Sequence, residues 1–261
     1  MPPGPAPPRI FTPEYYARMR ELEDTSWWNE GMRDIAAMLL RRAHLPDSGV
    51  LLDAGCGSGQ TMAWFLAHHS KWRAVGIDVA ADGLSAATTS GLPVSRASAL
   101  RLPFDDNTLT AVLSLDVLQH LPLDGGDAVA LTEFARVLAP GGILLIRTNA
   151  QSFPRTADDR QYSFRKYEPA ALRRRILAAG FGIEILGRCN ALLGLAEIPR
   201  ELDAARRQPH DYHGILGEPV KRTSFAHRLK RDWVRLEGRA MIAGVPLPLG
   251  RTLFALARVR K

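Results

Sequence analysis

The chain has 261 residues, 46% of them hydrophobic, and carries a formal net charge of +7. This size allows one large domain with an insertion or two small domains, and the two cysteines, Cys56 and Cys189, are too few for a disulfide framework or a cysteine-based metal site. The start of the chain lacks a signal-peptide pattern, and its most apolar late stretch, 241–259, is interrupted by proline, glycine and arginine. We therefore expect no membrane span and a cytoplasmic location.

The positive charge is concentrated near the end of the chain. Residues 200–261 hold 14 Lys and Arg against 6 Asp and Glu, a net +8, which leaves 20 against 21, a net −1, for the rest. We therefore expect the basic quarter to serve a different purpose from the first three quarters.

The first 46 residues divide into a tail and a helical segment. Residues 1–10 are rich in proline and predict a disordered tail. Residues 11–46 predict an N-terminal cover, with a short amphipathic helix within 11–31 and a second helix over 31–45. Trp27 and Trp28 are adjacent, and either burial on the flank of the domain or closure over a bound ligand would explain them.

A glycine-rich loop follows the first apolar run. Residues 50–52 predict a buried strand, Asp53 ends it, and a helical pattern begins at Thr61. The intervening loop has glycine at alternate positions, namely Gly55, Gly57 and Gly59. Such a loop brings the backbone and the free N–H groups of a helix start close to a nucleotide-type ligand. Gln60 stands where a dinucleotide fingerprint has its third glycine, and the lysine of a phosphate loop is absent.

A second buried strand, 74–78, ends in Asp78, which lies 21 residues after Gly57. In a parallel sheet this spacing places the carboxylate beside the glycine loop, where it can accept hydrogen bonds from both ribose hydroxyls of a nucleoside. The alternative is a solvated acid at the end of a strand.

The remaining patterns alternate between strands and helices. Strands are predicted at 93–98, 109–115, 143–146, 181–186 and 251–259, and helices at 127–138 and 169–179. This alternation predicts an α/β fold with a doubly wound, mostly parallel, seven-stranded sheet. We divide it into a core at 47–189, a substrate cap insertion at 190–250 and a last, antiparallel strand at 251–261.

The insertion contains a basic amphipathic helix pattern. Apolar residues recur at helical steps, namely Phe225, Leu229, Trp233, Leu236 and Ala240. We interpret this apolar stripe as packed on the core. The alternatives are contact with an anionic substrate or carrier, with an anionic membrane surface, or with RNA, although no nucleic-acid-binding module is recognisable. His210, Asp211 and His213 predict a polar loop, and we assign no metal site.

Several features occur in one order along residues 15–190. They are the loop 53–59, Asp78, the turn 99–104, the segment 115–121, the segment 138–142 and the segment 179–181. As an ordered set they resemble the class I S-adenosylmethionine (SAM) methyltransferases, in the ubiquinone-biosynthesis-like (methyltransferase type 11) branch. The resemblance implies methyl transfer from SAM to an O or N atom of a small molecule. An RNA methyltransferase and a non-catalytic SAM-binding scaffold are the alternatives, and Gln60 opposes an NAD-dependent oxidoreductase.

The resemblance also implies roles for cofactor-binding residues. The methionine end of SAM would lie against Asp53, Gly55, Cys56, Gly57 and Gly59. Asp78 would hold the ribose. The adenine would contact Val79, Ser98, Ala99 and Leu100, with Ser98 in place of the acid that many members have there. Leu115 would line the cavity at the end of the fourth strand.

The sequence also offers candidates for catalysis and acceptor binding. His120 is the first choice for a general base because the ordinary imidazole pKa suits proton removal near neutrality, and Asp116 and Tyr162 are lesser choices. Alternatively, His120 orients the loop or contacts the methionine part of SAM, since positioning alone can suffice for this reaction. A looser resemblance to cell-envelope and natural-product tailoring enzymes assigns the acceptor to Trp27, Trp28, Arg165 and Tyr167.

Overall fold

The computed structural model describes residues 26–151, 165–191 and 224–260. Seven strands form one sheet: β1 (Val50–Ala54), β2 (Arg73–Asp78), β3 (Val94–Arg96), β4 (Leu109–Leu115), β5 (Leu138–Asn149), β6 (Phe181–Cys189) and β7 (Thr252–Val259). The strand order is β3-β2-β1-β4-β5-β7-β6, and β7 runs antiparallel to both of its neighbours. The predicted doubly wound, mostly parallel sheet is confirmed.

Six α-helices accompany the sheet in the described part of the chain: α1 (Trp27–Arg42), α2 (Gln60–His68), α3 (Ala81–Thr89), α4 (Gly126–Val137), α5 (Pro169–Ala178) and α6 (Phe225–Ile242). A one-turn 3-10 helix, Leu118–His120, follows β4. Two hydrophobic cores lie against opposite faces of the sheet, and alternate residues of β7 enter each of them. Because both faces are covered, β7 reads as a continuous apolar run.

Helix α1 begins four residues earlier than the sequence predicted, at Trp27 instead of residue 31. Ser26 is the reason, since its hydroxyl oxygen accepts a hydrogen bond from the Asn29 N–H at 3.4 Å and thereby caps the helix. Both tryptophans therefore belong to the first turn of α1. The predicted tail, 1–10, and most of the predicted helix within 11–31 lie outside the described residues.

Helix α6 spans the predicted residues, but its apolar stripe does not pack on the core, so that interpretation was wrong. The exposed fraction is 73% for Phe225, 56% for Leu229 and 53% for Leu236. The opposite face of α6 is buried instead, through Val234, Gly238 and other residues. This face fits closely against α1, because a methyl group added at Gly238 would lie 2.5 Å from the Ile35 side chain.

Residues 190–251 separate β6 from β7, although the two strands are hydrogen-bonded neighbours. Within this insertion the structure describes α6 but not residues 192–223, so the predicted polar loop around His210 lies outside the described residues. None of the described helices combines the length and the apolar character needed to cross a bilayer.

Candidate cofactor and acceptor site

The glycine loop is bound to the carboxyl end of β2. The N–H groups of Gly55 and Cys56 both donate to the Ile77 carbonyl oxygen, at 2.7 and 2.9 Å. The Gly57 N–H donates to a carboxylate oxygen of Asp78 at 3.0 Å. The other Asp78 oxygen accepts from the Ala80 N–H at 2.9 Å. The structure therefore brings Asp78 to the loop as its spacing predicted, while its contact with ribose stays a prediction.

Glycine is required in this loop for two physical reasons. Gly55 and Gly59 adopt φ values of 83° and 80°, which side-chain-bearing residues rarely occupy. A methyl group at Gly55 would also lie 2.4 Å from the Val117 side chain, and one at Gly59 would lie 2.5 Å from Leu92. The loop is thus held tightly between the segment after β4 and the segment before β3.

Asp53 is the most unusual titratable group beside the loop. Its side chain is 2% exposed, and its buried Oδ2 atom has no hydrogen-bond partner among the described residues. Burial raises the pKa of Asp53 to about 7; the negative charge of Asp78 adds to this effect and the positive charge of Arg147 opposes it. A buried carboxylate of this kind is suited to a cationic, hydrogen-bond-donating ligand group.

Cys56 lines the loop as an uncharged group. Burial raises the pKa of its thiol, and the neighbouring charges of Asp53 and Asp78 raise it further. Its sulfur packs so closely on β2 that a methyl group at Gly76 would lie 2.6 Å away. The residue therefore acts by shape and not as a nucleophile.

The residues assigned to adenine follow β2 and β3, two neighbouring parallel strands. Val79 is exposed, Ser98 and Leu100 are half-buried, and Ala99 is buried. The Ser98 hydroxyl oxygen accepts from the Leu100 N–H at 3.2 Å, so this side chain shapes its own turn. The structure places these residues at the expected edge of the sheet.

Arg147 is a site residue that the sequence reasoning missed. It lies near the end of β5, half-buried, opposite Leu115, which is also half-buried. Its guanidinium donates from Nε and Nη2 to Asp116 Oδ2, with an Nε distance of 3.0 Å, and its Cζ lies 4.9 Å from the centre of the Trp28 ring. A charged residue directly after the apolar run 143–146 was the available signal.

This ion pair changes the interpretation of Asp116. The ion pair with Arg147 holds the Asp116 carboxylate in one orientation. The backbone at Asp116 is also unusual, with a φ of 60°. Asp116 is thus poorly placed to act as a free general base. Trp28 faces the Arg147 side of the site, whereas Trp27 faces α6, where Lys230 Nζ lies 5.6 Å from its ring centre.

His120 ends the 3-10 helix beside this pair. The preceding residue, Gln119, is buried, and its side-chain oxygen accepts from the Thr148 hydroxyl at 3.0 Å and from the Asn149 N–H at 3.3 Å. Gln119, another residue that sequence reasoning missed, thereby fixes the turn that carries His120. The imidazole is exposed to solvent, yet the surrounding protein disfavours its charged form and lowers its pKa, an effect that the charge of Asp116 opposes.

The structure corrects the expectation that Arg165 and Tyr167 contact the acceptor. Both side chains are buried and directed at Asp127, which is completely buried on α4. Arg165 forms an ion pair with Asp127, the Tyr167 hydroxyl donates to Asp127 at 2.8 Å, and Arg175 contributes a further ion pair at 3.0 Å. Asp127 thus compensates the buried charge of Arg165, which also supports the turn at 118–122 by donating to the Pro122 carbonyl oxygen at 2.6 Å. Tyr162, the remaining candidate base, lies outside the described residues.

The family comparison matches this architecture. The profile of a family described as "Methyltransferase domain" matches residues 52–146, which run from β1 into β5. The chain carries a class I SAM-dependent methyltransferase domain. SAM is the cofactor of this domain, and the partnerless carboxylate oxygen of Asp53 fits its cationic amino group. When bound, SAM supplies a methyl group that its sulfonium centre has already activated.

The similarity to individual relatives covers this domain and not the whole length of those proteins. The chain is 30% identical to trans-aconitate 2-methyltransferase of an Azoarcus species over 147 residues, covering 54% of this chain and 53% of that protein. It is 33% identical to tRNA (carboxymethyluridine(34)-5-O)-methyltransferase of Arabidopsis thaliana over 102 residues, covering 39% of this chain and 24% of that protein. The chain thus spans about half or less of the length of these relatives.

A solved structure extends the likeness in fold to most of the chain. Phosphoethanolamine N-methyltransferase 2 of Haemonchus contortus, in complex with SAM, superposes with a TM-score of 0.64 over 97% of this chain and 59% of that chain. The sequence identity is 15%, so this likeness concerns the fold.

Proposed function

We propose that the protein transfers the methyl group of SAM to an O or N atom of a small-molecule acceptor. The observation that carries the proposal is the buried carboxylate oxygen of Asp53, which lacks a hydrogen-bond partner in the described part of the chain and lies beside a loop that requires glycine at positions 55 and 59. In this arrangement Asp53 holds the amino group of SAM, Asp78 holds the ribose, and the glycine loop accommodates the methionine end.

The acceptor side of the proposed site consists of His120, the Asp116–Arg147 pair and Trp28. The ion pair is internally neutral, so it offers hydrogen-bonding groups without a strong preference for a charged acceptor. The Trp28 ring, which packs on Arg147, supplies an apolar wall. In-line displacement at the sulfonium requires chiefly that these groups align the acceptor atom and exclude competing water.

His120 takes the proton of the acceptor in this proposal. Because its pKa lies below the ordinary value, the neutral form that can accept a proton is fully available at neutral pH. The bonds made by Gln119 hold the turn and so position the imidazole of His120 at this side of the site.

An isotope experiment tests the proposed acceptor class. Protein is incubated with methyl-tritiated SAM and either a small-metabolite fraction or an RNA fraction from the same cells. We expect label in the small-molecule fraction, and much less label with the Asp53→Asn variant at the same SAM concentration, because this variant should bind SAM weakly. Label confined to RNA would overturn the proposal, and absence of SAM binding in calorimetry would overturn the assignment of an enzyme.

A tRNA methyltransferase is the second candidate, favoured by the match to the Arabidopsis tRNA enzyme. That match covers 24% of the relative, so it reflects the shared SAM-binding domain. In this case binding of the acceptor would fall steeply with salt, because phosphate contacts release counterions.

The role of His120 predicts a specific pH profile. The rate kcat should rise with pH through an apparent pKa below 6.5 and then stay level, because only the neutral imidazole accepts the proton. His120→Ala should remove this rise and lower kcat by about 10²- to 10⁴-fold, with SAM affinity unchanged. The measurement is kcat against pH with the acceptor found by labelling, and His120→Gln serves as the matched control that keeps a polar side chain. An unchanged kcat in both variants would leave His120 without a catalytic role.

A further inference from the structure

The apolar stripe of α6 lies on the side of the helix opposite to the face that contacts α1. Four of its side chains recur at steps of four, four and three residues: Phe225, Leu229, Trp233 and Leu236, the third being 39% exposed. At 100° per residue these positions fall within one quadrant of the helix. A contiguous, outward apolar stripe is uncommon on a protein surface and marks a contact surface.

Cationic side chains border the stripe. Arg228 and Arg239 are exposed along one edge and form no ion pair with any described residue, and Lys230 is exposed along the other edge. The helix as a whole contains five Lys and Arg against one Asp and one Glu, a net +3. An occupant of this surface must therefore offer apolar contacts at its centre and negative charge around them.

We propose that the stripe of α6 docks the protein on an anionic lipid bilayer. Acyl chains would receive the leucine, phenylalanine and tryptophan side chains, and anionic headgroups would pair with Arg228, Lys230 and Arg239. A second copy of the chain fits poorly, because it would bring two helices of net charge +3 together. RNA fits poorly too, because phosphates gain nothing from Leu229 and Leu236.

Docking would also bring the acceptor side of the site close to the membrane. Lys230 contacts Trp27, and Arg231 lies 3.6 Å from Glu30, so the first half of α6 adjoins the first turn of α1. The next residue of that turn, Trp28, packs on Arg147. The docking proposal itself does not depend on the proposed methyl transfer.

Vesicle flotation with the full-length protein tests the proposal. We expect binding to phosphatidylcholine vesicles that contain phosphatidylglycerol, and at least about fivefold weaker binding without it or at high salt. Leu229→Ser with Leu236→Ser should weaken binding at least about tenfold. Arg228→Gln with Arg239→Gln should weaken it by about fivefold per charge. All four positions are exposed, so the variants should fold normally.

Matched variants on other helices provide the controls. Val129→Ser with Leu177→Ser removes two exposed apolar side chains from α4 and α5, and Arg173→Gln with Arg174→Gln removes two exposed charges from α5. We expect these variants to bind vesicles like the wild type. The proposal is overturned if the wild type does not bind, if controls and α6 variants lose binding equally, or if the α6 leucine variant instead dissociates a dimer. Calorimetry with SAM on the same samples reports independently on the proposed function.

Discussion

Asp53→Asn should reduce SAM affinity by about 100-fold, the largest loss of cofactor affinity that we expect from a single substitution. The variant retains the shape of the side chain but removes the charge that would pair with the amino group of SAM, a buried charge-assisted hydrogen bond. Calorimetry with SAM and with S-adenosylhomocysteine measures the loss. Asp47→Asn, which changes an exposed acid before the start of β1 and so at the other end of the strand from the loop, should bind both ligands like the wild type.

The same substitution should stabilise the ligand-free protein at alkaline pH. The pKa of Asp53 is about 7 in the folded chain against 3.8 as its ordinary value, so between these values the folded state holds a proton that the unfolded state has lost. The contribution of Asp53 to the free energy of unfolding therefore decreases as the pH rises from 4 to 7. At pH 8 Asp53→Asn should be more stable by about 1–3 kcal/mol, and this advantage should vanish near pH 4.

Urea unfolding of the ligand-free proteins at several pH values tests this dependence. Parallel stability curves for the wild type and Asp53→Asn would contradict the raised pKa. Retention of SAM affinity within a few-fold would separately contradict the assigned ligand contact. The unfolding curves thus test the raised pKa of Asp53, whereas calorimetry separately tests whether Asp53 binds SAM.

Asp127→Ala should destabilise the fold by about 3–5 kcal/mol, the largest stability change that we expect. Asp127 is completely buried and compensates the charge of Arg165, which is itself almost completely buried. Removing the carboxylate leaves that guanidinium and the Tyr167 hydroxyl without their partner in a region that excludes water. Urea unfolding at neutral pH measures the change.

A surface ion pair of similar length supplies the control for Asp127. Asp106 pairs with Arg136 at 2.7 Å, but its side chain is exposed, so Asp106→Ala should cost less than about 1 kcal/mol. Equal losses in the two variants would refute the idea that burial makes the Asp127 network important. Arg175→Gln should give an intermediate loss, because its side chain is partly exposed.

Much of the fold could be predicted because it depends on local patterns. Apolar runs of strand length alternate with helical periodicity, and this alternation admits few arrangements besides a parallel sheet. Boundaries were less accurate: α1 begins at Trp27 because of one hydroxyl group, that of Ser26, which a search for apolar periodicity does not weigh.

The cofactor half of the site was predictable for the same reason. The backbone conformation of Gly55 and Gly59 restricts the residue type directly, and the distance from Gly57 to Asp78 follows from the length of one strand–helix–strand unit. The acceptor half was not predictable, because the role of each side chain there depends on the distant residue with which it forms an ion pair. Arg147 and Asp116 are 31 residues apart, and nothing local indicates that they meet.

The glycine loop, the acids that end β1 and β2, and the alternation of strands and helices were determined by the sequence alone, since each depends on residue type and short-range spacing. Tertiary structure decided that Arg165 and Tyr167 turn toward Asp127, and that α6 buries Val234 and Gly238 instead of its leucines. Periodicity reveals that a helix has two different faces. Which face of α6 is buried depends on the close fit that small residues such as Gly238 permit with α1. The two helices are far apart in the chain: Asp34 and Arg235, which are hydrogen-bonded, are separated by 201 residues. Local periodicity therefore cannot reveal this contact.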